Sequence, residues 1–288
     1  MAEERWTVLK VIQWTTEHFQ KKGMDNPRLE AEVLLAHLLG IDRMGLYLNY
    51  DRPLKEEERT AYREMIQRRT AGEPSAYIVG YKEFWSMRFA VSPECLIPRP
   101  ETEHLVEEAV RIGKGLQPPL RALEIGHGCG AVAIALAKEL EEAQIVATDI
   151  SPGAHALAQE NVETHGVGGR IRFILADLYP AGEGPFSLVC SNPPYIPTEE
   201  VLQLAPEVRD YEPLTALDGG ADGLRFFREI ARGAPAFLAE GGWLLLEMGK
   251  GQDPQVTAIL QEQGFTNIDL IPDYAEVRRV IKAQWVCQ

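Results

Sequence analysis

Leu120-Arg121-Ala122-Leu123-Glu124-Ile125, running into Gly126-His127-Gly128-Cys129-Gly130, is the stretch whose reading decides the fold. The first six residues read as a short buried strand, the next five as a glycine turn, and 131–140 has helix-forming composition. Glycines let the backbone turn sharply and approach a ligand, and the start of the following helix offers unpaired N–H groups. Such a unit fits a nucleotide-like cofactor. Two kinds compete on spacing. Gly126, Gly128 and Ala131 also satisfy the loose dinucleotide pattern, and Asp149 ends the next strand, 144–148, about 20 residues on, where a ribose-binding acid is expected. The plainer role for Asp149 is a strand-end carboxylate capping the helix that starts near Pro152.

Outward from this unit, strand-like segments at 120–125, 144–148, 171–176, 186–190 and 242–247 alternate with helical ones. That alternation implies a mostly parallel sheet with both faces covered. Two further strands are expected at 268–271 and 277–285, the last antiparallel. Ligands in such sheets lie outside the C-terminal strand ends. Gly126, Asp149, Asp177 and Asn192 all fall there. Asp177 is either a turn residue or, as a third strand-end acid, one that faces an adenine.

Asn192-Pro193-Pro194-Tyr195 follows the fourth strand. An amide or exocyclic amine nitrogen is a poor nucleophile because its lone pair is delocalised, so it needs geometric help. The Asn192 side-chain oxygen and the Pro193 carbonyl can each accept one N–H, which turns the lone pair toward an electrophilic carbon. Two prolines fix that carbonyl and donate nothing, and the Tyr195 ring offers a face for a flat group. Glu124 before the first glycine, three alternating glycines and this tetrapeptide together resemble S-adenosylmethionine-dependent methyltransferases.

The chain has 288 residues and a formal net charge of −14. Residues 1–75 are close to neutral, so nearly all of the negative charge lies in the remainder. This opposes duplex DNA as a substrate, since affinity for nucleic acid depends on basic groups neutralising phosphates. No apolar stretch approaches the ~20 residues that span a bilayer, and Glu3, Glu4 and Arg5 near the start do not resemble a secretory signal. A cytoplasmic protein without membrane partners is expected. Cys95, Cys129, Cys190 and Cys287 are scattered, with neither a Cys-x-x-Cys pair nor His at ligand spacing, so free thiols and no metal site are expected. Cys129 reads as a small residue filling a tight turn rather than a catalytic thiol.

Three domains of work are expected. Residues 1–75 carry apolar positions at helical spacing, including Trp6, Leu9, Val11 and Ile12, then 29–39, then Tyr62, Met65 and Ile66. They read as a small helical bundle, either a structural cap or a recognition module. Residues 76–95 are aromatic and β-branched and read as a hairpin linker. Residues 96–288 form the sheet domain, with Arg99 either pairing an acid or shaping a pocket, and the Pro-rich stretch from Ile196 to Gly223 facing a substrate.

Arg69 with Gly72-Glu73-Pro74, Tyr77-Ile78 with Gly80, Glu83-Phe84, Leu96 to Glu103, the glycine loop, Asp149 to Pro152, Asp177-Leu178 and Asn192 to Tyr195 together resemble the HemK/PrmC family of protein-(glutamine-N5) methyltransferases. The similarity extends over nearly the whole chain. The resemblance implies a Rossmann-like class I methyltransferase domain, α/β with a mostly parallel sheet, preceded by a small N-terminal helical bundle. It implies that the glutamine of the Gly-Gly-Gln motif in class I peptide-chain release factors is methylated, with S-adenosyl-L-methionine converted to S-adenosyl-L-homocysteine. By position, Glu124 and Gly126, His127, Gly128, Cys129 and Gly130 would cradle the cofactor's methionine part. Asp149 would bind its ribose, Asp177 and Leu178 would border its adenine, Asn192 would also contact the cofactor, and Asn192 and Pro193 would hold the glutamine amide in a slot completed by Pro194 and Tyr195. The bundle would grip the release factor. His127 and Cys129 depart from the small hydroxyl residues usual in that loop. His127 is expected to point to solvent and to serve no general-base role, because the sulfonium is already activated. The rivals are glutamine methylation of a ribosomal protein, adenine N6-methylation of nucleic acid, and a non-catalytic release-factor adaptor.

Overall fold

The structure is a computed structural model that describes residues 6–286. Expectations resting on Glu3, Glu4, Arg5 and Cys287 lie outside the described residues. The chain divides into two compact units, one within Met1–Gly80 together with Pro206–Tyr211, the other Tyr81–Ala205 with Glu212–Gln288.

The first unit is helical: α1 (Val8–Lys21), α2 (Pro27–Leu39), α3 (Arg43–Leu48), α4 (Glu56–Thr70) and α5 (Ser75–Val79). Thr7 caps α1, its hydroxyl accepting from the Lys10 amide at 3.4 Å. Pro27 opens α2, and Gly40 closes it in the left-handed conformation. Glu56, Glu57 and Glu58 stand in the first turn of α4 and Arg68 and Arg69 in its last, each complementing the helix dipole. Val8, Val11, Ile12 and Phe19 of α1, Leu34 and Leu35 of α2, and Tyr62 and Ile66 of α4 are buried. The Tyr62 hydroxyl, too buried to stay unpaired, donates to the Ala31 carbonyl at 2.8 Å. Six residues are too few for a periodic signal, so α3 is absent from the sequence reading; Asp42 starts it by accepting from the Gly45 amide at 2.6 Å.

Arg69 is buried and donates to Glu30 at 2.7 Å and to Glu207 at 2.5 Å, which ties 206–211 into this unit. Arg69→Ala is expected to destabilise the unit by about 2 kcal/mol, less than a fully enclosed pair because Glu207 is partly exposed. Denaturant unfolding measures this; an unchanged midpoint would contradict it.

The second unit begins with a hairpin of β1 (Tyr81–Phe84) and β2 (Met87–Ala90). The hairpin is shorter than its aromatic and β-branched composition suggests, because Tyr77, Ile78 and Val79 form one buried helical turn instead. A 3₁₀ turn, Pro100–Thr102, leads into α6 (Glu103–Gly115). Then follow β3 (Arg121–Ile125), α7 (Ala131–Glu139), β4 (Gln144–Asp149), α8 (Pro152–His165), β5 (Ile171–Leu175), β6 (Phe186–Ser191) and α9 (Thr198–Val201). After α10 (Pro206–Arg209), which belongs to the first unit, come α11 (Arg225–Gly233), β7 (Leu238–Glu247), α12 (Asp253–Glu262), β8 (Thr266–Pro272) and β9 (Arg278–Gln284).

The sheet has the order β5-β4-β3-β6-β7-β9-β8. β3 to β7 pair in parallel, and β9 runs antiparallel to both its neighbours, as read from the sequence. Leu123 and Ile125 of β3, Val189 of β6 and Leu244 and Leu246 of β7 pack with Phe227 and Ile230 of α11 and Val256 and Leu260 of α12. Strand order reverses at the β3/β6 pair, and the crevice that opens beyond such a reversal is where ligands bind in these sheets. Among the described residues, no helix is long and apolar enough to cross a membrane.

Candidate active site

The glycine loop leaves β3 bonded to the end of the neighbouring strand, with the Gly126 and His127 amides donating to the Thr148 carbonyl at 2.8 and 3.0 Å. Gly130 then starts α7 at φ +82°, and a Cβ there would stand 3.0 Å from the Phe173 ring and 3.2 Å from Ala158. Both backbone conformation and close packing require glycine at that position. Gly126, at φ +76°, has no atom within 4 Å of its absent Cβ, so its backbone stays open to a ligand.

A cavity of about 440 Å³ opens at the C-terminal strand ends. Glu124, Gly126, His127, Gly128, Cys129, Asp149, Asp177, Leu178, Asn192, Pro193 and Pro194 line it. Gly130 and Tyr195 do not: Gly130 packs behind the loop, and Tyr195 lies against the hydrophobic core with its carbonyl accepting from Gln252 at 2.9 Å. Burial pushes the Tyr195 phenol up to about 12.

Asp149 accepts from the Gly128 amide and from the Ser151 amide, each at 2.9 Å. The cap of α8 is Ser151, whose hydroxyl accepts from the Ala154 amide at 3.1 Å, so Asp149 is not needed in that role. Each of its oxygens retains a lone pair for a hydroxyl donor. Leu178 sits at φ +59°, unusual for a branched residue, and the buried Thr148 hydroxyl holds it there by donating to its carbonyl at 2.6 Å.

His127 does not point to solvent. It is 3% exposed, Nδ1 meets the Gly128 carbonyl at 2.8 Å, and the ring lies 4.6 Å from that of Phe173. Burial holds it below the usual imidazole value despite the nearby Asp149 carboxylate. With Nδ1 donating to the carbonyl, the neutral ring leaves Nε2 as a buried acceptor without a partner among the described residues. The Cys95 and Cys129 thiols, both in the cavity wall, hydrogen-bond to each other; that bond and burial push Cys129 well up, which removes it as a nucleophile. Among the described residues, Cys95, Cys129 and Cys190 form no disulfide.

Arg99 fulfils both of its alternatives. It lines the cavity and donates to the buried Glu212 at 2.5 Å, while the other Glu212 oxygen accepts from the Ile97 amide at 3.2 Å. Glu212 therefore holds the 96–99 segment, a function that no local sequence signal marks.

Two buried carboxyls stand near the strand ends. Glu124 accepts from the Ala133 amide at 2.9 Å, and burial raises it well above the usual carboxylate value. Glu247, at the end of β7, has one oxygen without a partner among the described residues, and burial raises it to about 7. Because the folded value exceeds the unfolded one, Glu247 favours folding most below pH ~4.5, and that contribution is lost as pH rises through about 7. Glu247→Gln is expected to remove this loss of about 3 kcal/mol from the stability profile between pH 4.5 and 8. Parallel denaturant titrations across pH test it, and identical slopes for the two proteins would contradict it.

The PrmC N-terminal domain family matches residues 10–80, and a methyltransferase domain family matches 122–211. The release factor glutamine methyltransferase of Geobacter sulfurreducens is 47% identical over 281 residues, 96% of each chain. That of Rhodopirellula baltica is 41% identical over 289 residues, 97% of this chain and 96% of its own. The crystal structure of a methyltransferase from Pyrococcus furiosus shares the fold at 17% identity and a TM-score of 0.52, covering 72% of this chain and 92% of that one. Methyltransferase domains of this class generally use S-adenosylmethionine. By its near full-length identity to these relatives, the chain belongs to the release factor glutamine methyltransferase family and is an enzyme.

Proposed function

We propose that this enzyme methylates the side-chain amide nitrogen of the glutamine in the Gly-Gly-Gln motif of class I peptide-chain release factors, with S-adenosyl-L-methionine as donor. The observation that carries the reading is the meeting of Asn192, Pro193 and Pro194 with Gly126, Gly128 and Asp149 around one cavity. The open backbone at Gly126 and the remaining acceptor capacity of Asp149 fit the methionine and ribose parts of the cofactor. Asp177 and Leu178 border the adenine end, and Glu124 stands beneath the loop. His127 supplies a buried neutral acceptor and Cys129 fills the wall; neither handles a reacting proton. When bound, the cofactor supplies a methyl group on an already activated sulfonium.

The chain's own contribution is orientation. The Asn192 oxygen and the Pro193 carbonyl each take one amide hydrogen, Pro194 stiffens that carbonyl, and Tyr195 backs the slot from the core. Fixing two reactants in line removes much of the entropic barrier, and no general base is required before transfer. In the working division, residues 1–75 recognise the release factor, 76–95 link, and 96–288 transfer the methyl group in the cytoplasm, with no nucleic acid as direct partner.

Fragmentation mass spectrometry of a release factor after incubation with enzyme and cofactor tests this. One added methyl on the Gly-Gly-Gln glutamine is expected; a methyl on any other residue, or none, would contradict the assignment.

A further inference from the structure

Asn192 can pin a substrate amide only if its oxygen, not its NH₂, faces the cavity. The two ends of an Asn side chain are nearly the same shape, so packing alone does not choose between them. A neighbouring hydrogen-bond partner must. The Asn192 Nδ2 group donates to the Thr102 hydroxyl oxygen at 3.1 Å, across 90 residues of sequence. Thr102 is itself buried, and it hydrogen-bonds to the fully buried Glu247 at the end of β7. Once Glu247 is ionised, above about pH 7, it can only accept, so the Thr102 proton goes to Glu247 and the Thr102 oxygen presents lone pairs to Asn192. Asn192 must then offer its NH₂ to Thr102, which leaves Oδ1 turned toward the cavity.

We infer that Thr102, held by Glu247, is a positioning residue that sets the orientation of the Asn192 amide for capture of the substrate nitrogen. The inference rests on the methyl-transfer reading above and adds a residue from the 3₁₀ turn before α6 to that site. It also accounts for a carboxyl kept in the core at the end of β7. Glu247 lies outside the cavity lining and acts only through Thr102.

The test compares wild type, Thr102→Val and Thr102→Ser in steady-state methylation of a class I release factor at saturating cofactor, with cofactor affinity measured by calorimetry. Valine keeps the shape and removes both hydrogen bonds, whereas serine keeps the hydroxyl. Thr102→Val is expected to lower kcat by about tenfold or more, with the cofactor Kd unchanged and Thr102→Ser close to wild type. Should the valine variant not fold, Thr102→Ala reads the same loss. Unchanged kcat without the hydroxyl, or a serine variant as impaired as the valine one, would overturn the inference. A wild-type enzyme that fails to methylate the release factor would instead overturn the functional reading, and this inference with it.

Discussion

Asn192→Ala lowers turnover by about 10²-fold or more, while the cofactor binds with wild-type affinity. On the proposed reading, what is lost is one of two acceptors that orient the nucleophile, and orientation is the main catalytic device, which sets the size of the effect. Asn192 is half-buried at the end of β6 and its side chain bonds to Thr102, whereas Gly126 is held by the Thr148 carbonyl and Asp149 by the Gly128 and Ser151 amides, so truncation leaves Gly126 and Asp149 in place. The split between catalysis and binding is therefore the diagnostic feature. Steady-state methylation and calorimetry on the same protein read both. A variant that turns over at near the wild-type rate removes the pinning role from Asn192.

Asp149→Ala weakens the cofactor by about 10²-fold, through the loss of charge-assisted hydrogen bonds of roughly 1.5–3 kcal/mol each. Part of that loss is indirect. The same carboxylate holds the Gly128 and Ser151 amides, so its removal also loosens the loop and the approach to α8. Asp149→Asn separates the two effects, since it keeps an acceptor for one amide while removing the charge. The KM for the release factor stays within about twofold of wild type, because one side of the cavity is altered and the Asn192 side is not. Equal weakening of cofactor and protein substrate would argue against a ribose contact.

The strand, glycine loop and helix at 120–140 were legible because each depends on local chemistry: a buried apolar run, glycines at positive φ and a helix-forming segment. The same holds for the strand-end placement of Asp149, Asp177 and Asn192, which follows from alternation alone. What the sequence could not give is contact between distant segments. Thr102 meets Asn192 across 90 residues, and Glu212 holds Ile97 and Arg99 across more than a hundred. His127 looked like a solvent-facing loop residue because nothing local announces the Phe173 ring that covers it from β5. Tyr77, Ile78 and Val79 carry strand-like composition yet form a helical turn, since burial selects the same side chains whichever backbone displays them. Thr148 gave no signal of its own; its use in holding Leu178 at positive φ becomes visible only when β4 and the 176–179 turn lie side by side.

The most direct measurement is transfer of labelled methyl from S-adenosylmethionine to a purified class I release factor, run beside the same factor with its Gly-Gly-Gln glutamine replaced, a ribosomal protein fraction and duplex DNA. Label on the unaltered factor alone is the expected result. Label that persists after the glutamine is replaced, or that appears on ribosomal protein or DNA in place of the factor, would contradict the assigned substrate.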